Sequence, residues 1–271
     1  MAHAPSGAVP LGGGRMVSHL LGQTGLTVSR IGLGTTKLGR NTDVKYPQAF
    51  ALPSDKQVSD LLHTALRAGV NLIDTAPAYG ASEARLGAAM ASYRDRLILC
   101  TKCGEQYSNG HSIYDFSADS ILASVEASLN HLKVDHVEIL LLHSGGQDIE
   151  ILTRTDAVET LRHLKQSGKT RAIGISAKTQ DGIREACRTL DVIMAPFSQT
   201  DPGLTAALRQ AHQAGLGVLA IKGLSSGYLE ARPAIEFVLR QEFIDALILG
   251  TTDPVHLCEA VSIAENIAIT S

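Results

Sequence analysis

Short apolar runs recur along this chain, and each is followed by a longer segment whose apolar positions repeat with helical spacing. The runs occupy residues 30–34, 70–74, 97–102, 137–143, 170–176, 192–197, 217–222 and 244–250, their starts roughly 20 to 40 residues apart. That interval is the size of one strand-plus-helix unit. The helical segments carry their own punctuation. Ser54 precedes 55–68, where Val58, Leu61, Leu62, Ala65 and Leu66 share a face and Gly69 ends the run. Further helices are predicted over 82–90, 117–132, 157–166 with Asp156 as its cap, 179–190, 201–214, 233–241 and 254–266. Eight strands alternating with eight helices predict an α/β fold, a (β/α)8 TIM barrel, with a doubly wound open sheet as the alternative. Ahead of the first strand, residues 16–29 form two short segments around a Gly-bounded turn, the mark of a β-hairpin. In a barrel such a hairpin plugs the bottom end. Residues 1–15 read as a flexible tail and 16–271 as a single barrel domain.

Composition narrows the class. Only 4% of the 271 residues are aromatic and none is tryptophan. The core must therefore be aliphatic, the usual filling of parallel strands buried on both faces. A net charge of −3 offers no basic excess for holding nucleic acid. The apolar runs are far shorter than the roughly 18 residues a membrane span requires. No basic, continuously apolar leader opens the chain. Four cysteines, Cys100, Cys103, Cys187 and Cys258, are too few for a disulfide framework and point to a reducing compartment. Cys100 and Cys103 have CxxC spacing, but alternation along a strand sends the two thiols to opposite faces. Neither a redox dithiol nor a metal site is expected there. A soluble cytoplasmic protein is expected, with no nucleic-acid or membrane partner and a monomeric state favoured.

Charged residues in buried parallel strands are costly unless paired or functional. Here they gather at the C-terminal ends of the runs: Asp74, Lys102, His143 and Lys222. The active sites of barrel enzymes lie on that face. With Tyr79, in the loop after Asp74, these residues make a workable proton-transfer set. A free phenol is a weak acid at neutral pH, with a pKa near about 10. Lys102 can favour its phenolate, and Asp74 can keep that ammonium charged and oriented. His143 can hydrogen-bond the reacting oxygen or the substrate. None of these is a good nucleophile, and His143 has no metal-ligand spacing. The chemistry suggested is protonation of an oxygen rather than hydrolysis.

These residues resemble the aldo-keto reductase family. The resemblance is carried by Leu-Gly-Gln-Thr-Gly-Leu-Thr-Val-Ser-Arg-Ile-Gly-Leu-Gly-Thr at 21–35 and Asn-Leu-Ile-Asp-Thr-Ala-Pro-Ala-Tyr-Gly at 71–80, with Ser82 and Glu83. Further matches are Leu-Cys-Thr-Lys at 99–102, Ile-Leu-Leu-Leu-His at 139–143, Gly-Ile-Ser at 174–176 and Ile-Leu-Gly-Thr-Thr-Asp-Pro at 248–254. The resemblance implies a (β/α)8 barrel that binds extended NAD(P)H and transfers hydride to a carbonyl. It makes Asp74, Tyr79, Lys102 and His143 the catalytic residues, with Tyr79 as general acid, or as base when an alcohol is oxidised.

The resemblance also implies where the cofactor lies. Gly34, Thr35, Thr36 and Asp74 would border it on one side. The pattern departs from the family at the nicotinamide carboxamide: Ser176 is followed by Ala177 rather than Asn, and Met194 stands where Gln is usual. Only the Ser176 hydroxyl is left to bind that amide. Ile221 replaces a stacking aromatic ring, and Lys222 beside it would approach the pyrophosphate. Lys222, Gly223, Leu224, Ser226 and Gly227, together with Gly250, Thr251 and Thr252, form small-residue loops whose backbone N–H groups suit phosphate. His256 stands beside Asp253 in place of the family's basic residues, a weaker 2′-phosphate site than an Arg fork. NADPH is expected, with NADH possible.

The pocket should be lined by the loops 41–52, 104–116 and 144–149, which bring Tyr46, Phe50, Tyr107, Tyr114 and Phe116, five of the eleven aromatic residues. The chain ends at Ser271, just past the last helix, so the family's long C-terminal substrate loop is expected to be absent. A comparatively open pocket with broad aldehyde tolerance follows. The reading is a carbonyl reductase acting on a small carbonyl or alcohol substrate. Two alternatives stay open: an NAD-dependent sugar or alcohol dehydrogenase working oxidatively, and a cofactor-sensing or protein-binding barrel with vestigial catalysis.

Overall fold

The structure, a computed structural model, describes residues 18–269 except 45, 47 and 109. The expected tail, 1–15, and residues 16 and 17 of the hairpin segment lie outside the described residues. Strands β1 (Ser18–Leu20) and β2 (Thr27–Ser29) pair antiparallel as the predicted N-terminal hairpin. After them come β3 (Ile31–Gly34), β4 (Leu72–Asp74) and β5 (Ile98–Cys103). A second antiparallel hairpin, β6 (Glu105–Ser108) and β7 (His111–Tyr114), follows directly. The series ends with β8 (Val137–His143), β9 (Thr170–Ser176), β10 (Val192–Pro196), β11 (Gly217–Ile221) and β12 (Ala246–Gly250). Strands β3, β4, β5 and β8 to β12 form a closed parallel barrel, β12 pairing with β3 to complete it. The eight-strand barrel is the predicted one, and the open sheet is excluded.

The helices are α1 (Thr36–Gly39), α2 (Asp55–Arg67), α3 (Ser82–Ala89), α4 (Ala118–Leu132), α5 (Asp148–Arg154), α6 (Ala157–Gln166), α7 (Gln180–Ala186), α8 (Thr205–Gln213), α9 (Ala231–Leu239) and α10 (Pro254–Ile269). Ser54 opens α2 with a reciprocal capping box to Gln57, and Ser117 and Thr179 cap α4 and α7. Asp156 does not cap α6. Its backbone, φ −80° and ψ 5°, is near-helical rather than extended, and its side chain makes no capping bond. The helix expected over 201–214 begins only at Thr205, because Asp201 pairs with Ser198 in an isolated bridge. The segments 104–116 and 144–149 are not plain loops: they hold the β6–β7 hairpin and the start of α5.

Two apolar layers organise the barrel. Leu72, Cys100, Ile139, Leu141, Val192, Met194 and Leu219 fill its interior, and a larger set, including Cys103, lies between strands and helices. The two thiols thus face opposite ways, as alternation requires, and burial pushes the Cys103 thiol up to about 12. Among the described residues no metal-holding cluster occurs, and no helix is long and apolar enough to cross a membrane. Leu21, Leu26 and Val28 of the N-terminal hairpin join the interior layer and plug its bottom. Gly22 makes this possible: with φ +47° it sits so close to β11 that a Cβ would lie 2.3 Å from the Gly217 nitrogen. Buried leucines of this kind contribute about 1.5–3 kcal/mol each. With the bottom sealed and the middle aliphatic, the polar strand ends are left to the top.

Candidate active site

Asp74 and His143 end strands β4 and β8, Lys102 is the last residue but one of β5 between them, and all three sit at the top of the barrel. Lys102 is 1% exposed; its Nζ donates to Asp74 Oδ1 at 2.5 Å and to the Thr75 carbonyl at 2.8 Å. Burial alone would lower the ammonium's pKa, but the Asp74 carboxylate, with Tyr79 and Cys100, raises it above its ordinary value. Lys102 is therefore a fixed cation. Asp74 is fixed in turn through its backbone, whose carbonyl accepts from both the amide and the hydroxyl of Thr35. Ser82 closes the network by donating to Thr35 Oγ1 at 2.8 Å.

Tyr79 rides on a 3-10 turn, Pro77–Tyr79, held between two glycines. Gly80, at φ +62°, would place a Cβ 2.4 Å from the Gly39 carbonyl, and Gly39 would place one 2.3 Å from the Tyr79 carbonyl. Only with both side chains absent can α1 pack this closely against the turn. The ring lies 4.8 Å from Lys102 Nζ and 6.1 Å from the His143 ring, nearly perpendicular to it. Burial raises the phenol's pKa and Lys102 pulls it down; burial prevails, and the net direction is upward. The expected pull of Lys102 toward phenolate is present but outweighed, so the protonated phenol is the resting form.

His143 has a partner the sequence did not reveal. Its Nδ1 lies 2.6 Å from Glu105 Oε2, a short but bent contact that leaves Nδ1 without an aligned hydrogen bond. Glu105 opens the β6–β7 hairpin, and its other oxygen accepts from Ser112 Oγ at 2.5 Å and Tyr114 OH at 3.2 Å. Burial raises this carboxyl's pKa, but the contact with His143 and the Ser112 and Tyr114 hydroxyls bring it down to about 2. For His143 burial dominates and holds the ring below its ordinary value, with Glu105 opposing and Lys102 assisting. The pair is a carboxylate beside a neutral imidazole.

A cavity of about 390 Å³ opens above these residues. Asp74, Tyr79 and His143 line it, as do Gly34, Thr36, Ile221, Lys222, Gly223, Leu224, Ser226, Gly227 and Gly250. Of the remaining expected cofactor residues, Thr35 is buried in the Asp74 network, and Thr251, Thr252 and His256 lie off the wall. Ser176 is paired with His143 across β8 and β9 but is only 3% exposed, and Met194 is wholly buried in the floor. Neither belongs to the wall. Among the aromatics, Tyr46 and Tyr114 line the cavity. Phe50 packs edge-on against Tyr46, Phe116 is buried beneath Tyr114, and Tyr107 is covered by the Arg40 guanidinium at 3.4 Å.

Lys37, Arg40, Lys178 and Glu105 also line the cavity, and no sequence motif singled them out. Lys37 sits 4.1 Å over the Tyr46 ring and burial lowers its pKa. A phosphate-bearing dinucleotide fits such a wall. Lys37, Lys178 and Lys222 bring positive charge, and the loop after β11 turns its backbone through positive φ at Lys222, Ser225 and Ser226. Gly250 keeps the opposite wall open, with only the Tyr46 hydroxyl, 3.1 Å away, where its Cβ would be.

A closed parallel barrel with this Asp–Lys–Tyr–His group at its top defines an oxidoreductase class, and residues 30–235 match the sequence profile of the Aldo/keto reductase family. The chain belongs to that family. It is 34% identical over 224 residues to L-galactose dehydrogenase of Arabidopsis thaliana, covering 77% of this chain and 66% of the relative. It is also 34% identical over 197 residues to the NADH-specific methylglyoxal reductase of Escherichia coli K12, covering 67% of this chain and 59% of the relative. The chain thus spans less than two thirds of these relatives' length. A solved structure described as an aldo-keto reductase from Pseudomonas aeruginosa superposes with a TM-score of 0.86 at 40% identity, covering 93% of this chain and 95% of that one.

Proposed function

We propose that this protein is a nicotinamide-dependent reductase of small carbonyl compounds, with Tyr79 as proton donor. The observation that carries the reading is a half-buried, protonated phenol beside a fixed Lys102–Asp74 pair at the mouth of a cavity suited to a dinucleotide. Lys37, Lys178, Lys222 and the loop to Gly227 would hold the phosphates, and Gly34, Thr36, Ile221 and Gly250 would flank the rest. Bound there, the dinucleotide supplies hydride to the carbonyl carbon. Tyr79 gives its proton to the carbonyl oxygen, where negative charge develops. Lys102 then stabilises the phenolate left behind, its 4.8 Å approach to the ring placing a full charge near it in a poorly solvated site. Asp74 keeps Lys102 charged and aimed, and His143 orients the substrate. In reverse the same groups oxidise an alcohol, but a raised phenol pKa favours the donor form at neutral pH.

Thr251, Thr252 and His256 lie off the cavity wall, so no Arg-like fork awaits a 2′-phosphate; NADPH is proposed on the charge of the wall, with NADH as the competitor. The substrate is proposed to be small and oxygen-rich, in keeping with the sugar and methylglyoxal activities named for the relatives. Fluorescence titration with NADPH and NADH, followed by steady-state assays on an aldehyde panel, tests the reading. Micromolar binding of one dinucleotide and turnover of several small aldehydes is expected. No binding of either at high micromolar concentration would remove the reading in favour of a sensing or docking barrel.

A further inference from the structure

We infer that Asp148 is a positioning residue: it pins the loop between β9 and α7 so that the Lys178 ammonium stands in the cavity wall and holds the phosphates of the dinucleotide. This deepens the nicotinamide-dependent reading above and rests on it. Asp148 opens α5 and is 1% exposed, yet the donors that reach it are neutral. Its Oδ2 accepts from the Lys178 amide at 2.9 Å, the Thr179 amide at 2.7 Å and the Thr179 hydroxyl at 2.7 Å. Its Oδ1 faces the Ser144 hydroxyl, which also reaches the Ser176 carbonyl at 3.0 Å. Burying a carboxyl group is costly unless donors satisfy its oxygens, and these do so on both sides.

The result is a tripeptide fixed through its backbone. The Ala177 amide donates to the Met194 carbonyl at 2.9 Å, so the three successive amides of 177 to 179 are all engaged. Thr179 passes the hold on to α7 by accepting from the Gly182 amide at 3.1 Å. Gly182 lets the helix come this close, since a Cβ there would collide with that of Asp148. Ala177 is wholly buried, and the Thr179 hydroxyl is spent on Asp148. The Lys178 side chain is the part of the tripeptide that lines the cavity. It runs past Gly146, where a Cβ would lie 3.7 Å from the Lys178 Cδ. A fixed Cα narrows the volume the ammonium searches, so less freedom is lost when it meets an anion. Lys178 acts at the ligand, and Asp148 acts through Lys178.

A double-mutant cycle read by fluorescence titration with NADPH and NADH tests this. Lys178→Ala should weaken binding about tenfold and flatten the dependence of Kd on salt. Asp148→Ala should weaken it about fivefold by freeing the loop, but should add nothing once Lys178 is already alanine. Asp148→Asn should bind as the wild-type protein does. Its carbonyl can keep the loop donors and its amide can donate to the Ser144 oxygen, while the Ser144 hydroxyl turns to the Ser176 carbonyl. A merely structural role would weaken binding equally with or without Lys178. Unchanged affinity in Lys178→Ala, or an Asp148→Ala loss that persists in full without Lys178, would overturn the inference. So would an effect confined to the KM of the aldehyde. If Asp148→Ala does not fold, Gly182→Ala, which displaces the carboxyl group and removes no donor, takes its place in the cycle. If the wild-type protein binds neither dinucleotide, the reductase reading falls and takes the ligand of Lys178 with it. Amide hydrogen exchange then tests the hold by itself: the 178 and 179 amides should be protected in the wild-type protein and exchange at least about tenfold faster in the variant. Equal exchange in the two would remove Asp148 from this role.

Discussion

The two walls of the cavity are built on opposite principles. On the β4–β5–β8 side, the functional groups are buried or half-buried side chains set by close neighbours: Lys102 by Asp74 and Thr75, His143 beside Glu105, and the Tyr79 turn by Gly39 and Gly80. On the β11–β12 side the wall is Ile221, a run of small residues and Gly250, and the local backbone passes through positive φ at Lys222, Ser225, Ser226 and Gly227. The first wall holds charges whose positions must not drift during proton transfer. The second presents backbone and open space, as binding an extended, phosphate-bearing molecule requires. Preorganised side chains serve the reaction; a permissive loop serves the ligand.

The sharpest way to break this contrast is to unbalance the rigid wall. Lys102→Met leaves Asp74 buried and unpaired, a loss of about 3–5 kcal/mol that should lower Tm by on the order of 10 °C. Thermal unfolding followed by circular dichroism checks it, and an unchanged Tm would mean the pair contributes nothing to holding the site. Next in size is Gly80→Ala. The new Cβ would collide with the Gly39 carbonyl at a left-handed position, costing about 1–3 kcal/mol and at least tenfold in kcat as the Tyr79 turn is displaced. Urea unfolding and steady-state kinetics measure the two parts.

A smaller effect concerns pH. The folded Glu105 carboxyl lies at about 2 against an ordinary 4.5, so its contribution to stability is full above pH 4.5 and fades as pH falls toward 2. The stability difference between the wild-type protein and Glu105→Gln should therefore shrink across that window in acid titrations; a difference that grows instead would reverse the sign argued for Glu105. Smallest is Lys222→Ala on the permissive wall. It should weaken dinucleotide binding about tenfold, with little change in kcat at saturation. Fluorescence titration checks this, and a fall in kcat with unchanged affinity would assign Lys222 to the wrong wall.

The rigid wall was legible in the strand pattern itself, the permissive one mainly through the family resemblance, for a physical reason. Asp74, Lys102 and His143 stand at the ends of aliphatic strands, where a charge contrasts with everything before it, and Ile221 carries no such contrast. The eight barrel strands followed from the same contrast, two of them, β8 and β9, over the predicted ranges. The β6–β7 hairpin was hidden because its exposed, polar strands look like loop; the Asn-Gly pair at 109–110 is the signal that could have revealed it. Glu105 stayed invisible with it, since its value depends on the hairpin carrying it to a strand end 38 positions away in the chain. Lys37, Arg40 and Lys178 were missed similarly, being ordinary surface cations until the barrel closes around them. Ser176 and Met194 came from the family resemblance, which gives the strand position but not the depth: both lie below the wall.

The most direct test of Tyr79 as proton donor is a single-turnover measurement on Tyr79→Phe preloaded with dinucleotide. Removing the hydroxyl leaves the wall that binds cofactor intact, so loading should match the wild-type protein within about twofold. Oxidation of the bound dinucleotide by glyceraldehyde, followed by rapid mixing, should slow by about 10²–10⁴-fold. A Tyr79→Phe protein that loads equally and oxidises its dinucleotide at the wild-type rate would contradict the role assigned to this phenol.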